Sequence, residues 1–235
     1  LVPLDVDRGT GLSAGWSRDV GTAVTGVAAM HAVAGEPVYV FLDDNANLRT
    51  AVLREGELRS IGRLRLEDPR DAIVVGETAL VADGLSGLAL VDISDPAGPE
   101  LIERFATVNA RRIEFVDRRD GSIVVAVADL SQVLLFEVSG ATVRTVSLVT
   151  TEFVEAIGVV GRYLYVAQGI LGMGVIDLTD ITQPIRVSEA EVGYITDIAG
   201  FEDVALLLDG AQIRSVRVLV PEWLARREDV DGTGN

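Results

Sequence analysis

Short runs of β-branched and aliphatic residues alternate along the chain with glycine, aspartate, asparagine or proline. Between residues 69 and 108 four such runs follow one another: RDAIVV, TALVAD, GLALVDI and ELIERFAT. Runs of this length between turn-forming residues are typical of β-strands. The helical period of 3.6 residues is found only in PEWLARRED, near the end of the chain. The pattern therefore predicts an all-β fold built from four-stranded units.

The four-strand pattern repeats along the chain. Residues 75–99, VGETALVADGLSGLALVDISDPAGP, and residues 160–184, VGRYLYVAQGILGMGVIDLTDITQP, agree at nine of 25 positions with an offset of 85. Another copy lies between them at 121–140, and diverged copies flank the pair. At the end of the second strand the five copies carry Asp43, Asp83, Asp129, Gln168 and Asp209, which we call the second-strand series. A repeat of about 42 residues with four strands is typical of a β-propeller blade.

We expect one propeller domain over residues 1–220, with blades near 25–66, 67–108, 109–151, 152–192 and 193–220. An N-terminal strand at 12–24 closes the ring by completing the last blade, because closure removes exposed sheet edges. Residues 221–235 form a C-terminal tail. Two alternatives stay open. The opening LVPLDVDRG resembles a third strand, which favours six blades, and a linear β-solenoid also repeats short strands.

The stretch VADGLSGLALVDISDPAGP, residues 81–99, resembles the LVIVD-repeat family of bacterial and archaeal proteins. Residues 160–184 carry the same motif, with Gln168 in place of the aspartate and Ile181 in place of the first proline. The other copies keep the hydrophobic pattern but lose VDxSDP. The resemblance implies a β-propeller and an extracellular, cell-surface or periplasmic location. It implies no reaction.

Composition narrows the chemistry. The net charge is −16 and all 20 cations are arginine, so a nucleic acid is an unsuitable partner, whereas cations or a basic protein face are suitable. Without cysteine or lysine the chain has no disulfide, thiolate nucleophile or Schiff-base amine. A single histidine excludes a multi-histidine metal centre. The apolar stretches are too short for a membrane span, and the opening residues lack the regions of a signal peptide.

A ligand site is expected where the first strand of each blade begins and the second ends, around the central channel. The residues before the innermost strands, the first-strand series, are Gly26, Asp71, Arg112, Glu155 and Asp197. Paired with the second-strand series they predict an acidic ring at the channel mouth, made of Asp71, Asp83, Asp129, Glu155, Asp197 and Asp209, with Arg112 facing Asp129 as an ion pair. Such a ring would bind a divalent cation or a cationic group. The competing interpretation is that each aspartate caps its own turn.

Two further segments have two interpretations each. DDNAN offers oxygen ligands for Ca²⁺ through Asp43, Asp44, Asn45 and Asn47, but lacks the EF-hand spacing and also suits a polar turn. QGILGMG places Ile170, Leu171 and Met173 at a loop tip, as a partner patch or packed between blades.

The sequence therefore favours a non-catalytic scaffold that binds a protein partner and requires no cofactor, with Ca²⁺ as the one candidate ion. The alternative from a different class is a glycan hydrolase that uses Asp71, Glu155 and Asp197, because propeller glycosidases work with carboxylates alone. The few aromatic residues in the channel series speak against sugar binding.

Overall fold

The computed structural model describes residues 4–7, 11–14, 24–33, 36–55, 57–201, 204–210 and 212–217. In chain order the strands are β1 Leu4–Asp7, β2 Gly11–Ala14, β3 Val24–Val33, β4 Glu36–Asp43, β5 Asn47–Arg54, β6 Glu57–Arg65, β7 Asp71–Val75, β8 Thr78–Ala82, β9 Leu88–Asp92, β10 Glu100–Phe105, β11 Ala110–Arg119, β12 Ser122–Asp129, β13 Gln132–Ser139, β14 Thr142–Thr150, β15 Ala156–Val160, β16 Tyr163–Ala167, β17 Met173–Asp177, β18 Ile185–Ala190, β19 Ile195–Phe201, β20 Val204–Asp209 and β21 Gln212–Arg217. The all-β prediction is confirmed. Within this part of the chain, no helix has the length and apolar character needed to cross a membrane.

Strands β3 to β21 form five antiparallel sheets in the described part of the chain. The first four sheets have four strands each, β3–β6, β7–β10, β11–β14 and β15–β18, and the fifth has β19–β21. Consecutive strands are neighbours in every sheet, so the predicted four-stranded antiparallel unit is confirmed for the first four sheets. The strand predicted at 12–24 overlaps β2, which pairs with β1, and residues 15–23 and 221–235 lie outside the described residues. Ring closure by that strand stays a prediction.

Consecutive sheets pack face to face through four hydrophobic clusters, each shared by two neighbouring sheets. Alternate residues of one strand enter different clusters: Leu80 packs toward the third sheet, whereas Ala79 and Val81 pack toward the first. The middle strands of the second, third and fourth sheets are therefore buried on both faces, as β12 shows from Ile123 to Asp129. This two-sided burial explains why the middle strands read as continuous apolar runs without polar alternation.

The first strand of each sheet lies beside the first strand of the next. Contacts join β3 to β7, β7 to β11, β11 to β15 and β15 to β19. The fourth strands β10, β14 and β18 lie at the opposite edges and are mostly exposed. The five sheets are thus arranged side by side, with their first strands in contact and the described fourth strands at the far edges.

The VDxSDP segment turns the third strand into the fourth and docks on the preceding sheet. Asp92 and Asp95 each accept a backbone N–H two residues ahead, at 2.8 Å and 3.0 Å, which confirms their interpretation as turn residues. The Pro96 carbonyl accepts the Thr50 hydroxyl of the first sheet. In the fourth sheet the Ile181 carbonyl accepts the Ser147 hydroxyl of the third at 2.6 Å. The repeated motif is therefore a contact between sheets.

A repeated glycine permits a second close contact. Gly87 has φ of 86°, and a Cβ atom there would lie 2.2 Å from the carbonyl oxygen of Phe105. Gly172 occupies the equivalent position, with φ of 87° and the same 2.2 Å to the carbonyl oxygen of Ala190. Only glycine combines this backbone conformation with so close an approach of the fourth strand.

Candidate functional site

In each sheet, the turn between the second and third strands lies at the same end as the start of the first strand. We call this the loop end of the sheet. The second-strand series, Asp43, Asp83, Asp129, Gln168 and Asp209, begins these turns. The first strands also begin at the loop end, as the sequence predicts for the channel mouth.

Asp83 fastens the loop that leads into its own sheet. Its side chain is fully buried, and Oδ1 accepts the backbone N–H of Asp68 at 2.7 Å and that of Glu67 at 3.1 Å. The other oxygen accepts a short hydrogen bond from Arg104 on β10. The carboxylate thus ties together the second strand, the leading loop and the outer strand.

Asp129 does the same in the third sheet. It is fully buried and accepts hydrogen bonds from the backbone N–H groups of Val108, at 3.0 Å, and Asn109. The side-chain amide of Gln132 donates to it at 2.7 Å. These donors take the place of the ion pair expected between Asp129 and Arg112.

The fifth sheet keeps a version of this arrangement. Oδ2 of Asp209 lies 2.6 Å from Nη2 of Arg214, and the carboxylate lies against Gly193 in the loop that leads into β19. Gln168 in the fourth sheet is buried. Asp43 caps its own turn, as the turn-capping interpretation expects, whereas Asp83 and Asp129 accept N–H groups of the loop that leads into their sheet. In all three cases the protein itself supplies the donors.

The first-strand series is in register as expected, with one correction. In each sheet, one first-strand residue pairs with the residue that immediately precedes the member of the second-strand series. These first-strand residues are Gly26, Asp71, Arg112, Ala156 and Asp197. The fourth sheet therefore presents Ala156, and Glu155 precedes the strand by one residue. Since successive side chains of a strand point to opposite faces, this shift separates Glu155 from Asp71 and Asp197.

Asp71 and Asp197 approach a third carboxylate, that of Glu114 on β11. Burial, and then the charges of Asp71 and Asp197, together raise the pKa of Glu114 to about 7 against the opposing charge of Arg112. Burial also raises the pKa of Asp71, whose two oxygens accept the N–H of Ile113 at 3.1 Å and of Ala72 at 2.9 Å. Charged groups from the second, third and fifth sheets therefore meet along the inner strands.

A cavity of about 450 Å³ opens at the loop end and receives residues from all five sheets or the loops that lead into them. Its described lining consists of Asp43, Asp44, Ala46, Glu67, Asp68, Pro69, Arg70, Arg111, Arg112, Glu155 and Thr196. The lining is a mixture of carboxylates and three guanidinium groups, not the acidic ring with a single arginine that the sequence predicts. The described lining does not include the other predicted acidic residues, Asp71, Asp83, Asp129, Asp197 and Asp209.

Ion pairs order both walls of the cavity. Arg70 lies 2.7 Å from Asp68 on one wall. On the other, Arg111 lies 3.5 Å from Glu155 and its guanidinium stacks 5.3 Å from the ring centre of Phe153.

The hydroxyl of Tyr194 donates to Glu155 at 3.3 Å. The ring of Tyr194 also lies against Gly169, the residue before the loop tip at Ile170. Arginine and aromatic side chains of this kind recur at the energetic centres of protein interfaces.

The residues considered for Ca²⁺ form a closed turn. Oδ1 of Asp43 accepts the N–H of Asn45 at 2.9 Å and the N–H and side-chain amide of Asn47 at 3.0 Å and 2.9 Å. Nε of Arg49 reaches Oδ2 at 2.5 Å, and Asp44 accepts the side-chain amide of Asn45. Among the described residues, no three aspartate, glutamate or histidine side chains form a group that could hold a metal ion.

The predicted partner patch is divided by the structure. Ile170 is 85% exposed and Leu171 is 50% exposed, both at the tip of a loop-end turn. Met173 is only 2% exposed because it begins β17 and packs between the fourth and fifth sheets, so it is removed from the patch. Leu85, at the same repeat position as Ile170, is 77% exposed.

Several charged and aromatic residues of this region were not anticipated. Glu114 lies two residues after Arg112, so strand alternation could have placed it on the same face. Phe153 and Tyr194 stand in the leading loops, where no periodicity marks them.

The comparisons with known proteins agree with the repeat. The family model described as LVIVD repeat matches residues 68–107 and 154–191, which confirms the resemblance of those segments. The matched segments contain the second and fourth sheets. No curated protein matches the chain.

Proposed function

Because residues 68–107 and 154–191 are LVIVD repeats, we propose that the chain is a five-bladed β-propeller that works as a non-catalytic binding module. Each sheet is one blade, and the inner strands surround the axis. Two observations support this arrangement. Asp197 of the fifth sheet is close enough to Asp71 and Glu114 to raise their pKa values, and one cavity receives residues from all five sheets.

The loop end is the binding face. The observation that carries this proposal is that the five-sheet cavity and the most exposed aliphatic loop tips, Leu85 and Ile170, lie at the same end. The exposure of aliphatic side chains to water is unfavourable, and their burial by a partner lowers the free energy of the complex. The ion pairs around Arg111 and Glu155 then supply polar contacts beside the apolar ones.

The contacts of the carboxylates favour binding over hydrolysis. A glycosidase needs two carboxyl groups that face the scissile bond from opposite sides. Both oxygens of Asp71 accept backbone N–H groups, and Glu155 is held by Arg111 and Tyr194. These partners stabilise the carboxylates within the protein. A location at the cell surface or in the periplasm follows from the family resemblance and stays a prediction.

The absence of cysteine from the sequence allows a direct test. A single cysteine replaces Leu85 or Ile170 at the loop end, or Ile185 as the control, and carries a photo-activated cross-linker. Ile185 is also an exposed aliphatic residue, but it lies at the start of β18, at the opposite end of the fourth sheet.

In an extract of the source cells we expect a cross-linked product of one defined mass from both loop-end positions and none from Ile185. Equal products from all three positions, or a product from Ile185 alone, would contradict the proposal.

A further inference from the structure

A groove on the first sheet has the opposite charge to the protein as a whole. It lies over β5 and β6, has a volume of about 650 Å³, and is lined among the described residues by Asn45, Asn47, Arg49, Arg63 and Arg65. None of these side chains is acidic, although the chain carries a net charge of −16. The three guanidinium groups only donate hydrogen bonds, whereas each asparagine side chain has both a donor and an acceptor.

The strand register brings these donors together. Arg49 on β5 pairs directly with Arg63 on β6, and Asn47 pairs with Arg65. Residues paired across antiparallel strands have Cβ atoms about 5 Å apart, and like charges at such positions are destabilising. Arg49 and Arg63 therefore repel each other, and an anion bound between them would remove this repulsion.

Two carboxylates lie beside the groove, because Asp44 accepts the side-chain amide of Asn45 and Asp43 accepts that of Asn47. Asp43 binds Arg49 through Nε, at 2.5 Å, and Arg65 donates to the carbonyl oxygen of Asn45. Arg63 is exposed and makes no hydrogen bond or ion pair with any residue that the structure describes. The three arginines, Asp43 and Asp44 together keep a formal charge of about +1 by simple addition of their unit charges.

We infer that this groove binds a doubly charged oxyanion between Arg49 and Arg63. Guanidinium groups present parallel N–H donors in a fixed geometry that matches two oxygens of one anion. Asp43 holds Arg49 by Nε, which leaves its terminal nitrogens for the anion. The Asn45–Asn47 turn thus borders an anion site, whereas its oxygen-rich sequence suggests a cation site. The inference does not depend on the proposed partner at the loop end.

The experiment titrates the full chain with inorganic phosphate at pH 8 and, separately, with malonate, by isothermal calorimetry at constant ionic strength in sodium chloride. Arg63→Gln removes the guanidinium and breaks no hydrogen bond or ion pair with a described residue, and Arg63→Lys keeps the charge but loses the paired donors. Arg144→Gln is the control, because it removes one exposed arginine from the third sheet. Circular dichroism verifies that each variant keeps its strand content.

We expect saturable binding of at least one of the two probes, a loss of at least tenfold in affinity in Arg63→Gln, a smaller loss in Arg63→Lys and no change in Arg144→Gln. The preferred probe identifies the anion as a phosphate-type or a carboxylate-type group. The inference is overturned if neither probe binds the unchanged protein saturably, or if Arg63→Gln binds as tightly as Arg144→Gln.

Discussion

Asp83 is the residue whose replacement should cost the most stability among the polar groups at the loop end. Its buried carboxylate receives two backbone N–H groups from the leading loop and the guanidinium of Arg104. In Asp83→Asn the charge is lost and an NH₂ group replaces one oxygen, so a donor faces a donor. In Asp83→Ala all three donors lose their acceptor.

The size of the effect follows from burial. Removing one partner of a buried ion pair costs about 3–5 kcal/mol, which is an upper value here because the Arg104 side chain is 28% exposed, and each buried donor left unsatisfied costs about 1–3 kcal/mol. The contributions overlap, so we expect a loss of about 3–5 kcal/mol for either substitution. A typical domain is stable by only about 5–15 kcal/mol, so the variants should unfold at a clearly lower urea concentration.

Asp95 from the same repeat is the matched control. It is exposed, and its one contact, the N–H of Ala97 at 3.0 Å, can still be accepted by an asparagine side chain. Urea unfolding followed by circular dichroism should give less than about 1 kcal/mol for Asp95→Asn. If Asp83→Asn costs no more than Asp95→Asn, then Asp83 is not an anchor and the structural explanation of the second-strand series is wrong.

Three further predictions follow from the contacts described above. Glu114 has a folded-state pKa of about 7 against an ordinary 4.5, so the native state keeps its proton to a higher pH than the unfolded state does. The free energy of unfolding should therefore fall by roughly 2–3 kcal/mol as the pH rises from 4.5 to 7. Urea unfolding of Glu114→Gln should lack this fall. Replacing Ile170 and Leu171 by serine should weaken partner binding at least tenfold without lowering the melting temperature, whereas Ile185→Ser should not weaken it. A Cβ at Gly62 would lie 2.2 Å from the Pro96 carbonyl oxygen, so Gly62→Ala should cost about 1–3 kcal/mol in urea unfolding by displacing the docked turn.

The repeated units and their strand order could be predicted from the sequence because each unit is local. Apolar runs between turn residues identify strands, and the offset between copies identifies the unit. The turn role of Asp92 and Asp95 followed from their recurrence at Asp177 and Asp180. Residues that recur at a fixed offset serve a role within one repeat unit. Such a role can be inferred from the sequence without knowledge of how the units are arranged.

The direction of individual side chains was less predictable. Glu155 was placed in the first-strand series, but the strand begins one residue later, and a shift of one residue changes the face. Met173 was grouped with Ile170 and Leu171 from its neighbourhood in the sequence, although it already belongs to β17. Neither the start of a strand nor its register is marked by composition.

The groups that donate hydrogen bonds to the second-strand series could not be predicted from the sequence, for a different reason. Asp83 and Asp129 bind backbone N–H groups about 15 to 21 residues away, and a backbone group carries no sequence signal. The same holds for the meeting of Glu114 with Asp197, which depends on how whole sheets are placed relative to one another. Contacts of that range require the three-dimensional structure.

The common axis proposed for the five sheets is the central claim, and the pKa of Glu114 tests it most directly. The side-chain carboxyl carbon of Glu114 can be followed by NMR as a function of pH in the unchanged chain and in Asp197→Asn. If the second, third and fifth sheets meet at one axis, the pKa should be about 7 in the unchanged chain and clearly lower in Asp197→Asn, because a neighbouring negative charge is removed. A pKa near 4.5 in the unchanged chain, or one that Asp197→Asn leaves unaltered, would contradict the arrangement.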